Sequence, residues 1–289
     1  MHVLIHSLEH GIKDAIPLIP FLLVTYLIME SVERADSGRT ARVVAKAGPF
    51  GPLLGAIFGA FPQCGFSAAA SNFYAAGLIK MGTLIAVFMS TSDEMLPIFI
   101  AEKVAPSAIA KIIIVKILIA LVFGYLITFV AGKFFKKQQT ALDEYREEYG
   151  HDCSEDGHGI IQEVLIRTAK TMAIILVITV ILELVLETVG EDILKSIMMD
   201  VPVLGEALAG LVGLIPNCAA SILITELYLS GVIGSGAMMS GLLVSAGVGL
   251  LVLFRENKNV KENIMILAVL YVLSLGAGLI ISALGITFI

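Results

Sequence analysis

A segment that contains a Pro-x-Cys motif occurs twice in the chain, and this duplication limits the possible folds more than any other feature. FPQCGFSAAASNFYAAGLIKMG at 61–82 is followed by IPNCAASILITELYLSGVIGSG at 215–236. Shifted by 154 positions without a gap, residues 51–82 and 205–236 agree at ten positions, most of them Pro, Cys, Gly or Tyr. Apolar composition alone does not place such residues at matched positions. The sequence therefore predicts two copies of one structural unit.

The composition indicates the surroundings of these units. The 289 residues are 57% hydrophobic and 15% charged, with no tryptophan, and the mean hydropathy is +0.93. Such a chain is expected to be a polytopic membrane protein in contact with a lipid bilayer. The net charge of -6 comes mostly from polar loops and indicates no nucleic-acid partner. No nucleotide-binding signature is present, and we expect no cofactor.

Each half of the chain contains three apolar segments long enough to cross a bilayer as helices, which takes about 20 residues. Each half also contains two shorter apolar pieces, separated by Pro62 or Pro216. A helix of their length reaches roughly 20 Å, so we predict a re-entrant hairpin in each half. The expected fold is an all-α membrane protein with ten helices, counting the hairpin arms. The predicted spans are 11–30, 83–100 and 107–131, then 166–187, 237–254 and 264–289; the predicted arms are 50–61 and 66–79, then 204–215 and 219–229.

Basic residues predict the orientation, because Lys and Arg favour the cytoplasmic side of a membrane. The positive segments 34–46, 133–137 and 255–261 fall on one side if each half crosses an odd number of times. The second copy is then inverted, as in transporters built from inverted repeats. Four spans per half would give parallel repeats, but would place the basic segments 34–46 and 133–137 on opposite sides of the membrane. We predict a first transmembrane repeat at 1–132, a cytoplasmic polar loop at 133–160, a second repeat at 161–289, and both termini outside.

The Pro-broken helices place candidate ligands at membrane depth. Such a break frees main-chain polar groups that lipid cannot satisfy, so it is typical of a binding cavity. Beside each break lie an amide, a thiol and a hydroxyl, all of which can bind a cation or metalloid. A small buried cysteine beside a simple kink is the alternative, but recurrence at matched positions favours binding. The candidates are Gln63, Cys64 and Ser67 in the first copy and Asn217, Cys218 and Ser221 in the second.

The segment STSDEMLP at 90–97 carries two adjacent acids, whereas the matched segment of the second half, VSAGVGLL, carries none. Counted along a continuous helix, Asp93 lies near the bilayer centre, where a charge is costly and by default functional. Ser90 and Asp93 would share a helix face, with Glu94 turned about 100° away. Lys116 in the next helix is the expected charge partner; an inert buried pair is the alternative. Two further membrane-depth candidates occupy matched positions of the repeats, Asn72 and Glu226.

These motifs resemble those of a known family. PQCGFS, STSDEMLP and the lysine-bearing next helix are similar to ten-helix heavy-metal exporters, variously labelled arsenic efflux proteins or manganese transporters. The resemblance covers nearly the whole chain, and the paired Pro-x-Cys hairpins are also similar to those of organoarsenical permeases. It implies export of a metal or metalloid across a bacterial inner membrane.

We therefore expect a secondary transporter, not an enzyme, that exports a divalent cation such as Mn²⁺, or arsenite, with proton coupling. The expected partners are the ion, protons and lipid, and a second copy of the chain in a homodimer. One rival is an oxyanion or small organic anion carrier, whose ligand rests on half-helix N-termini and Lys116. The other, an intramembrane cysteine enzyme, lacks a membrane-depth histidine as base. Carboxylates suit Mn²⁺ and paired thiols suit arsenite; the expected metal ligands are Cys64, Asp93, Glu94, Cys218 and Glu226.

Overall fold

The computed structural model describes residues 48–61, 64–92, 95–134, 203–216 and 218–289, with scattered helical positions between 19 and 27 and between 162 and 177. Within these ranges every regular element is a helix. After a 3-10 turn at Gly48–Phe50, the first half contains α1 (Gly51–Gly59), α2 (Cys64–Ala75), α3 (Met81–Ser90), α4 (Met95–Ala101) and α5 (Pro106–Phe134). The second half contains α6 (Leu204–Gly213), α7 (Cys218–Leu229), α8 (Ser235–Val244), α9 (Val248–Glu256) and α10 (Val260–Ala283).

The two halves share one order of helices. Adding 154 to the bounds of α2 and α3 gives the bounds of α7 and α8, and α1, α4 and α5 begin within one residue of the positions that match α6, α9 and α10. The turns after α2 and α7 also match, since Gly77 and Gly231 have φ angles of 71° and 72°. The duplication that the sequence predicts therefore extends to the local structure.

The central helices of the described structure are α3 and α8. Every residue of both helices is buried. Both helices contact each other, α3 also contacts α1, α2 and α5, and α8 also contacts α6, α7 and α10. Large side chains such as Phe88, Met89 and Met238 have no exposed surface. The two matched helices thus form one shared core.

The outer helices present apolar side chains on their exposed faces. Leu118, Val122 and Phe129 of α5 are more than half exposed, as are Val272 and Ile280 of α10. Such surfaces are unfavourable in water and favourable in lipid. Within the described residues, four segments are long and apolar enough to cross a membrane: Met81–Ala101, Pro106–Val130, Ser235–Glu256 and Val260–Ala283. The structure is thus that of an all-helical polytopic membrane protein.

Two of these four segments are not continuous helices. The sequence predicted unbroken helices at 83–100 and 237–254, but α3 ends at Ser90 and α8 ends at Val244. The chain is helical again in α4 and α9. The predicted continuity was wrong in both halves; the helix face predicted for Ser90 and Asp93 stays a prediction, because Asp93 lies outside the described residues.

Local chemistry explains both interruptions. In the first half, the hydroxyl groups of Ser90 and Thr91 donate to the carbonyl oxygen of Val87, at 3.0 and 2.8 Å, and so compete with main-chain hydrogen bonds. Pro97 lacks the N–H group that would bond to the carbonyl of residue 93, which disfavours a helix through both positions. In the second half, Gly247 has a φ of 51° and a ψ of -135°. Residues with a Cβ avoid that conformation, so glycine permits the break.

Small residues hold α1 close to α3. A Cβ atom on Gly55 would lie 2.9 Å from the carbonyl oxygen of Thr83, and one on Gly59 would overlap the hydroxyl group of Ser90. The two helices therefore run in the same direction, and α1 ends level with the end of α3. The matched contact recurs in the second half, where Gly213 lies against the main chain of α8.

The two ends of α10 define the relative direction of the halves. Near its beginning, Glu262 accepts a hydrogen bond from the hydroxyl group of Tyr74, which is close to the turn that leads into α3. Near its other end, Gly278 and Ser282 lie against Gly236, in the first turn of α8. The matched helices α3 and α8 therefore begin at opposite ends of α10.

Each half also has one helix that packs on a helix of the other half. The second-half helix α9 packs on α2, and the first-half helix α4 packs on α7. In the first of these contacts, the hydroxyl group of Ser71 donates to the carbonyl oxygen of Gly249 at 2.7 Å. The helix that follows each break therefore lies against the other half.

Candidate cation site

The side chain of Lys116 lies at the junction of the two halves. It projects from α5 and is only 1% exposed. Its ammonium group donates a hydrogen bond to the carbonyl oxygen of Thr91, which caps α3, and one of 3.2 Å to the carbonyl oxygen of Leu242, in the last turn of α8. One lysine thus bonds to the broken helix of each half.

Both carbonyl acceptors belong to helix ends that need a donor. The last four carbonyl groups of a helix have no partner within it. The aligned peptide dipoles also place a partial negative charge there, equivalent to about half an elementary charge per helix. Two such ends meet at Lys116, whose ammonium group supplies both donors and opposite charge. This arrangement explains how the core accommodates a buried lysine.

The second half has no lysine at the matched position. Leu270 in α10 corresponds to Lys116 in α5 and is fully buried. The two helix ends therefore share a single ammonium group, and the site is asymmetric although the helices around it are duplicated.

A small cavity adjoins Lys116. Its volume is about 10 Å³, close to the minimum that holds one water molecule. Four residues of its described lining carry hydroxyl groups and one carries a thioether. The side-chain atoms that could coordinate an ion there are therefore mainly oxygen atoms. The described lining consists of Thr91, Ser92, Met95, Lys116, Ser221, Leu242, Ser245 and Gly247.

The structure brings two predicted site residues together, since Lys116 and Ser221 both border the cavity. Ser90 is fully buried one residue before the cavity wall, and its hydroxyl group donates to the carbonyl oxygen of Ala86 at 2.8 Å. Ser67 is also buried, but it packs against Gly249 where α2 meets α9. These two serines therefore support the elements around the cavity and are not part of its described wall.

Asn72 and Glu226 occupy matched positions in α2 and α7 but have opposite environments. Asn72 is fully buried, and neither its amide nitrogen nor its amide oxygen has a hydrogen-bond partner among the described residues. Glu226 is exposed and is not in the cavity wall. The prediction that Glu226 lies at the same site as the other candidates is thus not supported for the described cavity, because α7 turns this position outward.

Several predicted ligands lie outside the described residues, and their roles stay predictions. This applies to Gln63, Asp93, Glu94 and Asn217, and to the side chains of Cys64 and Cys218, which are the first residues of α2 and α7. In the part of the chain that the structure describes, no three His, Cys, Asp or Glu residues form a group that could hold a metal ion.

Sequence reasoning missed one feature of the site and one buried acid at the start of α6. The carbonyl group of Leu242 belongs to the main chain, so the residue type gives no signal for it. Glu206 is a buried carboxylate that accepts hydrogen bonds from the hydroxyl group of Ser282 at 2.5 Å and from the N–H group of Val203 at 3.0 Å. It caps the start of α6 by accepting from the Val203 N–H group; because Val203 has no polar side chain, the sequence carries no capping-box signal here.

The broken helices, the buried lysine between them and the apolar outer faces define a multi-pass membrane protein with a polar site in its core. Residues 5–200 match the model of a family described as "Putative, 10TM heavy-metal exporter". Because this match covers more than half of the chain, the chain belongs to that family, and family membership supports metal efflux as its activity. No curated protein and no solved structure matches the chain.

Proposed function

We propose that the protein is a secondary transporter that exports a divalent metal cation, such as Mn²⁺, across a bacterial inner membrane in exchange for protons. The observation that carries this proposal is the ammonium group of Lys116, which is bound between the carbonyl oxygens of Thr91 and Leu242. Half-helix C-terminal ends coordinate cations in transporters with broken helices. A core that binds its own cation in this way favours a cationic substrate, and the exporter family supports outward transport.

Inverted repeats form the framework of the proposed transporter. They are supported by α3 and α8, which match in sequence but begin at opposite ends of α10. The loop 133–160 then lies in the cytoplasm between a repeat at 1–132 and a repeat at 161–289, and both termini lie outside. Rocking of one inverted repeat against the other exposes a central site to each side in turn.

Re-entrant hairpins are the second part of this framework. The short helix α1 runs beside α3 and ends level with the break after Ser90, where Gly59 approaches the Ser90 hydroxyl group. A helix of nine residues covers about half of a bilayer core. We assign α1 with α2, and α6 with α7, to hairpins whose tips lie at the depth of Lys116.

Proton coupling is assigned to Asp93, with Glu94 beside it. Both acids follow Ser92, a residue of the cavity wall, and precede the start of α4 at Met95. A carboxylate at membrane depth can bind a proton or a metal ion, and exchange between them couples the two fluxes. Cys64 and Cys218 start α2 and α7; as ligands they would favour a softer substrate such as arsenite.

An anion carrier is the second candidate, and one observation favours it. The starts of α4 and α9 also border the cavity, through Met95 and Gly247. Helix N-termini bind anions through their free N–H groups, and a lysine would assist. An oxyanion would then bind the ammonium group of Lys116 in place of the two carbonyl groups.

Transport assays with purified protein in liposomes test the proposal. A pH gradient is imposed, and Mn²⁺, Zn²⁺, arsenite, phosphate and thiosulfate are compared for uptake and for substrate-dependent proton movement. We expect Mn²⁺ to move against the proton flux. Movement of phosphate or thiosulfate without any response to the metals would overturn the cation proposal and favour the anion carrier.

A further inference from the structure

We infer that the ammonium group of Lys116 and the transported cation are alternative occupants of one site, whose ligands are the carbonyl oxygens of Thr91 and Leu242. The inference rests on the proposed cation transport and specifies where the ion binds. It gives Lys116 a role different from that of a charge partner for Asp93, because the lysine here takes the place of the substrate.

The two carbonyl groups already act as cation ligands. Thr91 follows the last turn of α3, Leu242 lies in the last turn of α8, and both accept from the same ammonium group. Carbonyl groups at helix ends lack partners within the helix. They therefore require a bound cation or another donor whenever the lysine moves away.

Further oxygen donors surround the same point. Ser92, Ser221 and Ser245 border the cavity next to Lys116, and they come from three different segments of the chain. The sulfur of Met95 is the one soft donor among the described lining residues. Carbonyl and hydroxyl oxygens suit hard divalent ions such as Mn²⁺ better than soft ones. The described donors therefore favour a hard cation.

Little free space remains beside the ammonium group of Lys116. The cavity measures only about 10 Å³, which is near the volume needed for one water molecule. An ammonium group and a divalent ion this close would also repel each other strongly in a core of low polarity. The side chain of Lys116 carries its charge on a flexible four-carbon stem, so the ammonium group can leave the carbonyl oxygens when the core around it opens during transport.

This exchange also provides a return step for the empty transporter. When no metal is bound, the lysine neutralises the partial negative charge of both helix ends. The metal-free protein can then switch between its inward-open and outward-open states without leaving those carbonyl groups unbonded in the core. A variant without the ammonium group should therefore bind the metal more tightly but return poorly when empty. A purely structural lysine would not produce that pair of effects.

The test measures Mn²⁺ binding by calorimetry for the full chain and for Lys116→Gln, Lys116→Met and Lys116→Arg. Gln keeps a donor for the carbonyl groups and loses the charge, Met loses both, and Arg keeps the charge. We expect Lys116→Gln to bind Mn²⁺ about tenfold more tightly than wild type, because the competing occupant is gone. Lys116→Arg should gain nothing. Lys111→Met, an exposed position on the same helix, is the control for loss of a positive charge and should match wild type.

Liposome assays then separate exchange from net transport. Lys116→Gln should keep Mn²⁺/Mn²⁺ exchange and lose net Mn²⁺ export. The inference alone fails if wild type transports Mn²⁺ and Lys116→Gln binds it no more tightly. If wild type neither binds nor transports Mn²⁺, the proposed function fails, and the shared site for this ion fails with it.

Discussion

Lys116 and Leu242 are 126 residues apart in the chain, yet the ammonium group of the first donates a 3.2 Å hydrogen bond to the carbonyl oxygen of the second. The same ammonium group bonds to Thr91 in its own half. A single side chain therefore connects the two broken helices at the point where they end. A change at this residue should affect both halves at once.

Lys116→Met should lower the stability of the fold. The carbonyl groups of Thr91 and Leu242 would lose a donor, and a buried polar group without its partner costs about 1–3 kcal/mol. Lys116→Gln should lose less, because its amide still donates. Thermal unfolding in detergent measures the difference, with Lys111→Met as the exposed control. Equal midpoints for Lys116→Met and the control would show that the ammonium group carries no structural role.

Gly59→Ala should disturb the contact between α1 and α3. The added Cβ would overlap the Ser90 hydroxyl group and lie 2.5 Å from the carbonyl oxygen of Val87. Because that oxygen belongs to the main chain, the helices must separate, and overpacking of this kind costs about 1–3 kcal/mol. The measurement is the yield and melting temperature of purified protein. Gly276→Ala in α10 is the matched control, since nothing lies within 4 Å of its Cβ position; a similar effect of both changes would contradict this contact.

Single cysteines test the inverted arrangement. In a chain without native cysteines, Lys258→Cys reports on the turn between α9 and α10, and Glu102→Cys reports on the turn between α4 and α5. Both positions are exposed. We expect an impermeant thiol reagent to label position 258 from the cytoplasm and position 102 from outside, with Arg39 and Lys137 on the side of 258 and Glu191 on the side of 102. Labelling of 102 and 258 from the same side would exclude inverted repeats.

Asp93→Asn should abolish transport while the protein still folds and inserts, because the amide keeps the shape of the side chain and loses its charge. Proton-coupled metal flux in liposomes is the measurement. Glu226→Gln is the natural control, since Glu226 is another acid predicted at membrane depth and is exposed in the structure. We expect Glu226→Gln to transport at the wild-type rate. Transport by Asp93→Asn at that rate would remove Asp93 from the site.

Asn72→Leu should raise stability and lower transport together. A buried amide without described partners is unfavourable, so an apolar side chain of similar size should stabilise the fold by about 1–3 kcal/mol. Natural proteins tolerate such a cost where the group serves function. Melting temperature and flux, measured on the same preparation, test the pair of effects. Higher stability with unchanged transport would identify Asn72 as a simple packing residue.

The short helices α1, α2, α6 and α7 could be predicted from the sequence because their signals are local. Pro62 and Pro216 mark the breaks, and the predicted arms end within a few residues of α1, α2, α6 and α7. The breaks after α3 and α8 were missed because the residues around them are apolar or small and read as one long span. Pro97 and Gly247 were the available signals, and each acts through the backbone and not through hydropathy.

The site was predictable only where side chains define it. Lys116 stands out as a charge in an apolar helix, and its burial follows the expectation for such a residue. Its described partners are main-chain carbonyl groups, which every residue type carries, so the sequence could not indicate them. Asn72 and Glu226 also show that the sequence does not indicate which of two matched positions is buried. Their positions match in the duplicated unit, but one is buried and the other exposed, and the sequence of the unit does not show how its neighbours pack.

The absence of a lysine at Leu270 has a consequence for the resting state of the transporter. If two inverted halves were identical, exchanging their shapes would turn an inward-open protein into an outward-open one of equal energy. Lys116 lies on one half only, so the two states place its charge in different surroundings and differ in energy. We therefore expect the metal-free protein to rest with one particular side open, and the lone lysine then sets where each transport cycle begins.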